Sequence, residues 1–470
     1  MRTFQLMIGS LFISMIASSQ DISPKLDSTV KAMLSDSTMK HAIMGLYVVN
    51  SATNEVVYDF NSQVGLAPAS CQKIITSIAA FDLLGKEYRW KTELGIDGSI
   101  AKDTLHGSIH ITGYGDPTLG SWRYAATKPE LVFAAWTKAL QQLKIKVVEK
   151  NLYFNSTNFP YQPLPGGWIW DDIGNYYGAG HFALNWNENQ YSIVLNAGDK
   201  EGDSVKISSM EPDMQLSEMN NLLKTGKKSS GDNAYIYLAP YTQNGFITGT
   251  IPAGEKGFKI AGSMPYPSTT ISNELFKNFE KVKFEIKGRT IAIDSSIALE
   301  PKPALCDKVL HVFYSPTLDT VNFYFLRRSI NLYGEAFIKT IAYEKTGFGN
   351  ADSGLAIVKR YWQDRGIEKS ALHIIDGSGL SPQNRITANS LVTALQYART
   401  KNWFNSFYEA LPTYNQMKLK SGTIGGAKSF AGYHKSKNGV GYTVAIIVNN
   451  YDGSAAAAVK KMFAVLDCLK

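Results

Sequence analysis

Leu66-Ala67-Pro68-Ala69-Ser70-Cys71-Gln72-Lys73 leads into Ile74, Ile75, Ile78, Phe81, Leu83 and Leu84, a largely apolar run that Gly85 can close. The pattern predicts a buried helix with Pro68 at its entry and glycine at its end. Such a helix opens with free backbone N–H groups and a positive dipole end, which favour an oxyanion near the first turn. Ser70 falls there, and one helical turn sets the amine of Lys73 beside its hydroxyl. On entering a buried helix, Lys73 loses solvation, which lowers its pKa towards a free-base form. The stretch therefore predicts a nucleophile with its proton acceptor at hand.

Context selects this pair from its copies. Ser-x-x-Lys occurs four times, at Ser28/Lys31, Ser37/Lys40, Ser70/Lys73 and Ser99/Lys102. The first two lie in a polar helical stretch and the last in a turn-rich one. Only Ser70 opens an apolar helix; without partners it would read as a plain N-cap serine.

Two downstream segments supply such partners. Ser329-Ile330-Asn331 enters a predicted helix over Leu332–Ala342, so both polar side chains can project from a loop into a cleft. Met417-Lys418-Leu419-Lys420-Ser421-Gly422-Thr423 reads as a strand, followed by a second, strongly apolar one at Tyr442–Asn449. A strand can pair with a bound peptide. Lys420 is expected to supply charge for a terminal carboxylate, Ser421 a hydroxyl donor, and Gly422 room for close approach of the substrate. The competing Lys224-Thr225-Gly226 reads as a solvated loop, and Lys345-Thr346-Gly347 as the end of a helix over Gly334–Glu344 with a glycine C-cap. A nucleophile, a proton shuttle and a carboxylate anchor together are what a serine acyl-transferase needs.

With these motifs, the chain resembles the D-alanyl-D-alanine carboxypeptidase/endopeptidases among class C low-molecular-mass penicillin-binding proteins. Further matching stretches are Gly113-Tyr114-Gly115-Asp116-Pro117-Thr118-Leu119, Trp168-Ile169-Trp170-Asp171-Asp172 with Tyr176-Tyr177-Gly178-Ala179, and Asp376-Gly377-Ser378-Gly379-Leu380-Ser381. Together they run from about Met44 to Asn449. Ser421 stands where the family commonly has Thr, and Cys71 replaces the usual Thr or Ser after the nucleophile. The resemblance implies an α+β fold: a transpeptidase/β-lactamase-like domain, its antiparallel five-stranded sheet flanked by helices, interrupted by inserted strand-rich domains. It also implies peptidoglycan stem peptides and β-lactams as partners, and no cofactor.

The expected mechanism has Ser70 attacking a D-alanyl-D-alanine peptide bond while neutral Lys73 takes its proton. Lys420 would be the cation that keeps Lys73 neutral. The N–H groups of Ser70 and Thr423 would form the oxyanion hole, Ser329 would relay a proton to the leaving D-alanine, and Asn331 would orient Lys73 and the substrate amide. Asp172 and Tyr177 align with family positions that recognise the charged end of the diamino-acid side chain. The alternative for that pair is a domain-interface carboxylate and a packed aromatic. Asp116 and Asp376 read as turn-fixing residues.

A chain of 470 residues suggests more than one domain. Residues 1–19, with Arg2 ahead of the apolar run Phe4 to Ala17, read as a secretory signal. Residues 20–92 and 304–470 are expected to build a discontinuous catalytic domain around an inserted 93–303 region of two nested accessory domains. On the front flank, Gly45–Val49 and Glu55–Tyr58 read as a hairpin. At the rear, Ala455–Leu469 reads as a terminal helix, and within the insertion 129–140 is the clearest helical pattern. Export to the periplasm or cell envelope follows, with no membrane span.

The three cysteines make no disulfide framework, leaving a single Cys306–Cys468 bridge or free thiols as the options. A net charge of +8 suits an anionic cell-wall polymer, while scattered basic residues without a binding motif give no nucleic-acid signal. A metallopeptidase is disfavoured: the seven histidines include no His-Glu-x-x-His. His106 and His110, read on one strand, would sit roughly 13 Å apart. Cys71, a quarter-turn from Ser70, is disfavoured as nucleophile. Two further readings remain: a β-lactamase, shorter and needing a glutamate for deacylation, and a catalytically inactive cell-wall-binding protein.

Overall fold

A computed structural model describes residues 22–294 and 306–470; the signal segment read at residues 1–19 lies outside them. The chain forms an α+β fold built around an antiparallel sheet. Its strand order is Val56–Phe60, Ile43–Asn50, Gly441–Asn449, Ala427–Lys435, Met417–Ile424 and Thr413–Tyr414. Five long strands match the expected number, and a two-residue edge strand makes a sixth.

The apolar strand Gly441–Asn449 is buried along almost its whole length because both faces of the sheet are covered. Ala445 and Ile447 face the helices Lys73–Leu84 and Ala388–Arg399. Val444, Ile446 and Val448 face Ser23–Leu34 and Ala455–Leu466. The two-residue alternation of a strand thus splits one run between two cores. The helix Lys73–Leu84 lies inside the first core, with every residue from Lys73 to Phe81 buried. That explains why its sequence is apolar on all sides rather than along one stripe.

A strand-rich part stands beside this body. Its mixed five-stranded sheet runs Thr290–Asp294, Leu152–Ser156, Ile109–Gly113, Lys91–Ile96, Lys308–Tyr314. The helices Pro129–Gln142 and Pro267–Lys281 pack on the strand-rich core. Lys308–Tyr314, read from sequence as part of the rear flank, pairs antiparallel with Lys91–Ile96 instead. The outgoing and returning chain form adjacent strands there. Three smaller sheets complete the region.

Several local readings are corrected. Lys224–Gly226 is a strand paired with Asn244–Pro252, and Thr225 is buried. Cross-strand pairing overrides the loop character of the following Lys-Lys-Ser-Ser. His106 and His110 lie on different strands of different sheets, bonded to Glu149 and Asp97 respectively. All three cysteines are free, so Cys306 and Cys468 do not pair; Cys468 packs against Thr29 instead. Among the described residues no helix is long and apolar enough to cross a membrane.

Candidate active site

Ser70 sits in a short 3-10 turn, Ala69–Gln72, that runs into the helix Lys73–Leu84. The turn is tightly held. Ala69 adopts a left-handed φ of 46°, a conformation a non-glycine residue keeps only when its surroundings enforce it. The carbonyl of Ala69 packs against Gly379, and a Cβ on Gly422 would stand 2.5 Å from the Pro68 carbonyl and 2.8 Å from Ser70 N. The Ser429 hydroxyl bonds to the same Pro68 carbonyl at 2.5 Å. The glycine at 422 is therefore required by the nucleophile's own backbone. The space expected to admit the substrate is taken up by the turn itself.

Lys73 is fully buried, and its amine has three neighbours: Ser70 Oγ at 2.9 Å, Asn331 Oδ1 at 2.7 Å and the Ser378 carbonyl at 2.7 Å. The Asn331 amide nitrogen donates to the Tyr177 carbonyl at 2.8 Å, which fixes the asparagine with its oxygen towards Lys73. Two of the three neighbours can only accept. A neutral amine gives them both its protons and leaves its lone pair directed at the Ser70 hydroxyl. Burial holds the Lys73 pKa well below its ordinary value. The charge of Lys420 acts in the same direction as a smaller effect, beside the burial expected from the apolar helix.

The Ser378 carbonyl comes from the loop Asp376–Ser381, which a buried carboxylate organises. Asp376 accepts from Gly379 N and Ser381 N, each at 2.7 Å, and from Gln72, Asn384 and the Trp168 indole at 2.9, 3.0 and 3.0 Å. Asp376 thus fixes its turn and also ties the nucleophile turn to the loop that orients Lys73. Asp116 caps its own turn through Thr118.

Ser329 carries a left-handed φ of 59° just ahead of the helix Asn331–Thr346 and lines the cleft with Ser70, Asn331 and Thr423. Gly347 closes that helix in the left-handed conformation, as its C-cap reading required. Asp172 and Tyr177 line the same cleft, about 490 Å³ in volume, with the Tyr177 backbone held against Asn331. Burial and then the neighbouring Asp171 raise the Asp172 carboxyl to about 6. Burial first, then the charge of Asp172, pushes the Tyr177 phenol up.

Lys420 and Ser421 are placed differently from the other members. The Lys420 amine is buried and donates to the Ser421 carbonyl at 2.7 Å; neither residue is among those lining the cleft. Burial lowers the Lys420 pKa to about 8. Cys71 is fully buried, with its thiol on the Lys420 carbonyl at 3.1 Å and its pKa raised by burial, which leaves it inert.

Two supporting residues escaped the sequence reading. Glu335 accepts from Gly377 N at 3.0 Å, and burial with the charge of Asp376 raises its carboxyl to about 8. Lys339 donates to the carbonyls of Gln162, Pro163 and His181, so it fastens the segment that leads into the Asp172 wall. The signal was present: Asn331, Glu335 and Lys339 recur every four residues along an otherwise largely apolar stretch of helix.

An activated serine, a buried amine and a strand edge around one cleft define the active-serine class of penicillin-recognising folds. Residues 26–414 match the D-Ala-D-Ala carboxypeptidase 3 (S13) family, and the chain belongs to that family. It is 25% identical over 469 residues to a D-alanyl-D-alanine carboxypeptidase of Actinomadura sp. (strain R39), covering 94% of this chain and 84% of that protein. It is 21% identical over 358 residues to D-alanyl-D-alanine carboxypeptidase DacB of Haemophilus influenzae, covering 75% and 70%. The fold matches the crystal structure of penicillin binding protein 4 (dacB) from Haemophilus influenzae with a TM-score of 0.78 and 18% identity, over 94% of this chain and 98% of that one. That protein has also been solved in complex with a β-lactam.

Proposed function

We propose that this chain is an exported, penicillin-sensitive serine carboxypeptidase/endopeptidase that cleaves after D-alanine in peptidoglycan stem peptides. The observation that carries the reading is the Lys73 amine, desolvated and hydrogen-bonded so that its remaining capacity is to accept the Ser70 proton. Ser70 Oγ attacks the D-alanyl carbonyl as its proton passes to Lys73. The oxyanion lies on the N–H groups of Ser70 and Thr423, where one donor is typically worth a factor of about 100 or more. Ser329 passes a proton to the leaving amine, the C–N bond breaks, and water later hydrolyses the ester to free Ser70.

Asp172 and Tyr177 form the wall for the amine end of the stem peptide. β-Lactams acylate the same serine, a reading supported by the β-lactam complex of the Haemophilus relative. The organisation that best fits the three hydrophobic clusters is a catalytic body from both ends of the chain, with an inserted strand-rich part between. The pairing of Lys91–Ile96 with Lys308–Tyr314 supports a junction just outside that strand pair. Release of D-alanine from an acyl-D-alanyl-D-alanine peptide tests the proposal. Turnover by wild type and none by Ser70→Ala is expected; turnover that survives Ser70→Ala overturns it.

A further inference from the structure

The strand Met417–Ile424 pairs along its length with Ala427–Lys435, but among the described residues its other side is bonded to a neighbouring segment only from Met417 to Leu419. From Lys420 onward that edge is free, and Thr423 and Ile424 line the cleft beside Ser70. Thr423 stands directly across from Lys428 in the register, so both side chains lie on one face of the sheet. The Lys428 amine donates to Thr423 Oγ1 at 2.5 Å and lies 5.0 Å from the centroid of the Phe430 ring. Among the described residues it forms no ion pair, although twelve other pairs are present.

A hydroxyl that accepts from an ammonium has its own proton left to give, and the attached charge strengthens that donation. Thr423 lines the cleft and Lys428 stands behind it, so the charge, which has no anionic partner among the described residues, reaches the cleft through the Thr423 hydroxyl. Lys420, the expected carboxylate anchor, spends a hydrogen bond on Ser421 and is only 1% exposed.

We propose that Lys428, acting through the Thr423 hydroxyl, supplies the positive charge that holds the free carboxylate of the leaving residue and so selects substrates carrying one. This rests on the peptidase reading above. Lys428 is a positioning and specificity residue; Ser70 and Lys73 perform the chemistry.

The test compares an acyl-D-alanyl thioglycolate with its methyl ester, in wild type, Lys428→Met and Lys428→Arg. A charge-assisted hydrogen bond predicts that the acid-to-ester ratio of kcat/KM falls roughly tenfold or more in Lys428→Met. The loss should appear in KM, Arg should restore most of it, and the wild-type ratio should shrink with added salt. An unchanged ratio, or Met and Arg variants that behave alike, overturns the assignment to Lys428. When that happens with Ser70-dependent wild-type turnover, the peptidase reading stands. Absence of Ser70-dependent turnover of either compound overturns both.

Discussion

Replacing Gly422 with alanine probes the packing of the nucleophile turn. The new methyl carbon would stand 2.5 Å from the Pro68 carbonyl and 2.8 Å from Ser70 N, where real Cβ contacts essentially never fall below 3.0 Å. The Ser429 hydroxyl also crowds the site and can rotate, but these two neighbours are backbone, so relief requires the turn and strand to separate by about 0.5 Å or more. Overpacking of this kind costs about 1–3 kcal/mol, which lowers the melting temperature by roughly 2–6 °C in a chain of this size. A 1 Å misplacement of reacting groups costs about a hundredfold, so half of it predicts roughly a tenfold slower acylation. The assay is the acylation rate with fluorescent penicillin, read beside a thermal melt. Wild-type values in both would refute the packing argument. Slower acylation with an unchanged melt would return the role of Gly422 to substrate clearance.

Lys73→Met should fold and melt no lower than wild type, because it removes a desolvated amine, yet acylate about 10²–10⁴-fold slower in the same assay. Glu335, raised to about 8 in the fold, holds a proton that the unfolded chain gives up near 4.5. The folded state therefore binds more protons between those values, and the Glu335 contribution falls as pH rises from about 4.5 to about 8. Glu335→Gln can keep the Gly377 hydrogen bond without that loss, so urea midpoints at pH 5 and pH 8 should differ less in the variant than in wild type. Asp172, raised to about 6, becomes an anion above that pH. Binding of a stem peptide with a free side-chain amine should tighten as pH passes 6, and Asp172→Asn should abolish the dependence in KM measurements.

The elements that carry chemistry were the most legible in the sequence. Ser70 and Lys73 open a helix whose apolar residues cover every side, a pattern that only deep burial accommodates. Ser329-Ile330-Asn331 leads into a helix that Gly347 closes, and the Lys420 segment alternates as a strand does. Non-local pairing was less visible. Ala427–Lys435, with a glycine, three small residues and two lysines, carries little strand signal and is held by its two neighbours. The charge at Thr423 was invisible because Lys428 reaches it across a turn, by a register that no local pattern encodes. Glu335 and Lys339 were missed for a different reason. Their helix reads as apolar, and a buried carboxylate or amine shows its purpose only once the loop carbonyls and amides it serves are in place.

Mass spectrometry of the protein after exposure to benzylpenicillin tests the serine–lysine centre most directly. One intact penicillin per chain, mapped to the peptide that contains Ser70, slowed severely in Lys73→Met and missing from Ser70→Ala, is the predicted result. Adduct on any other residue, or none on wild type, would contradict the account.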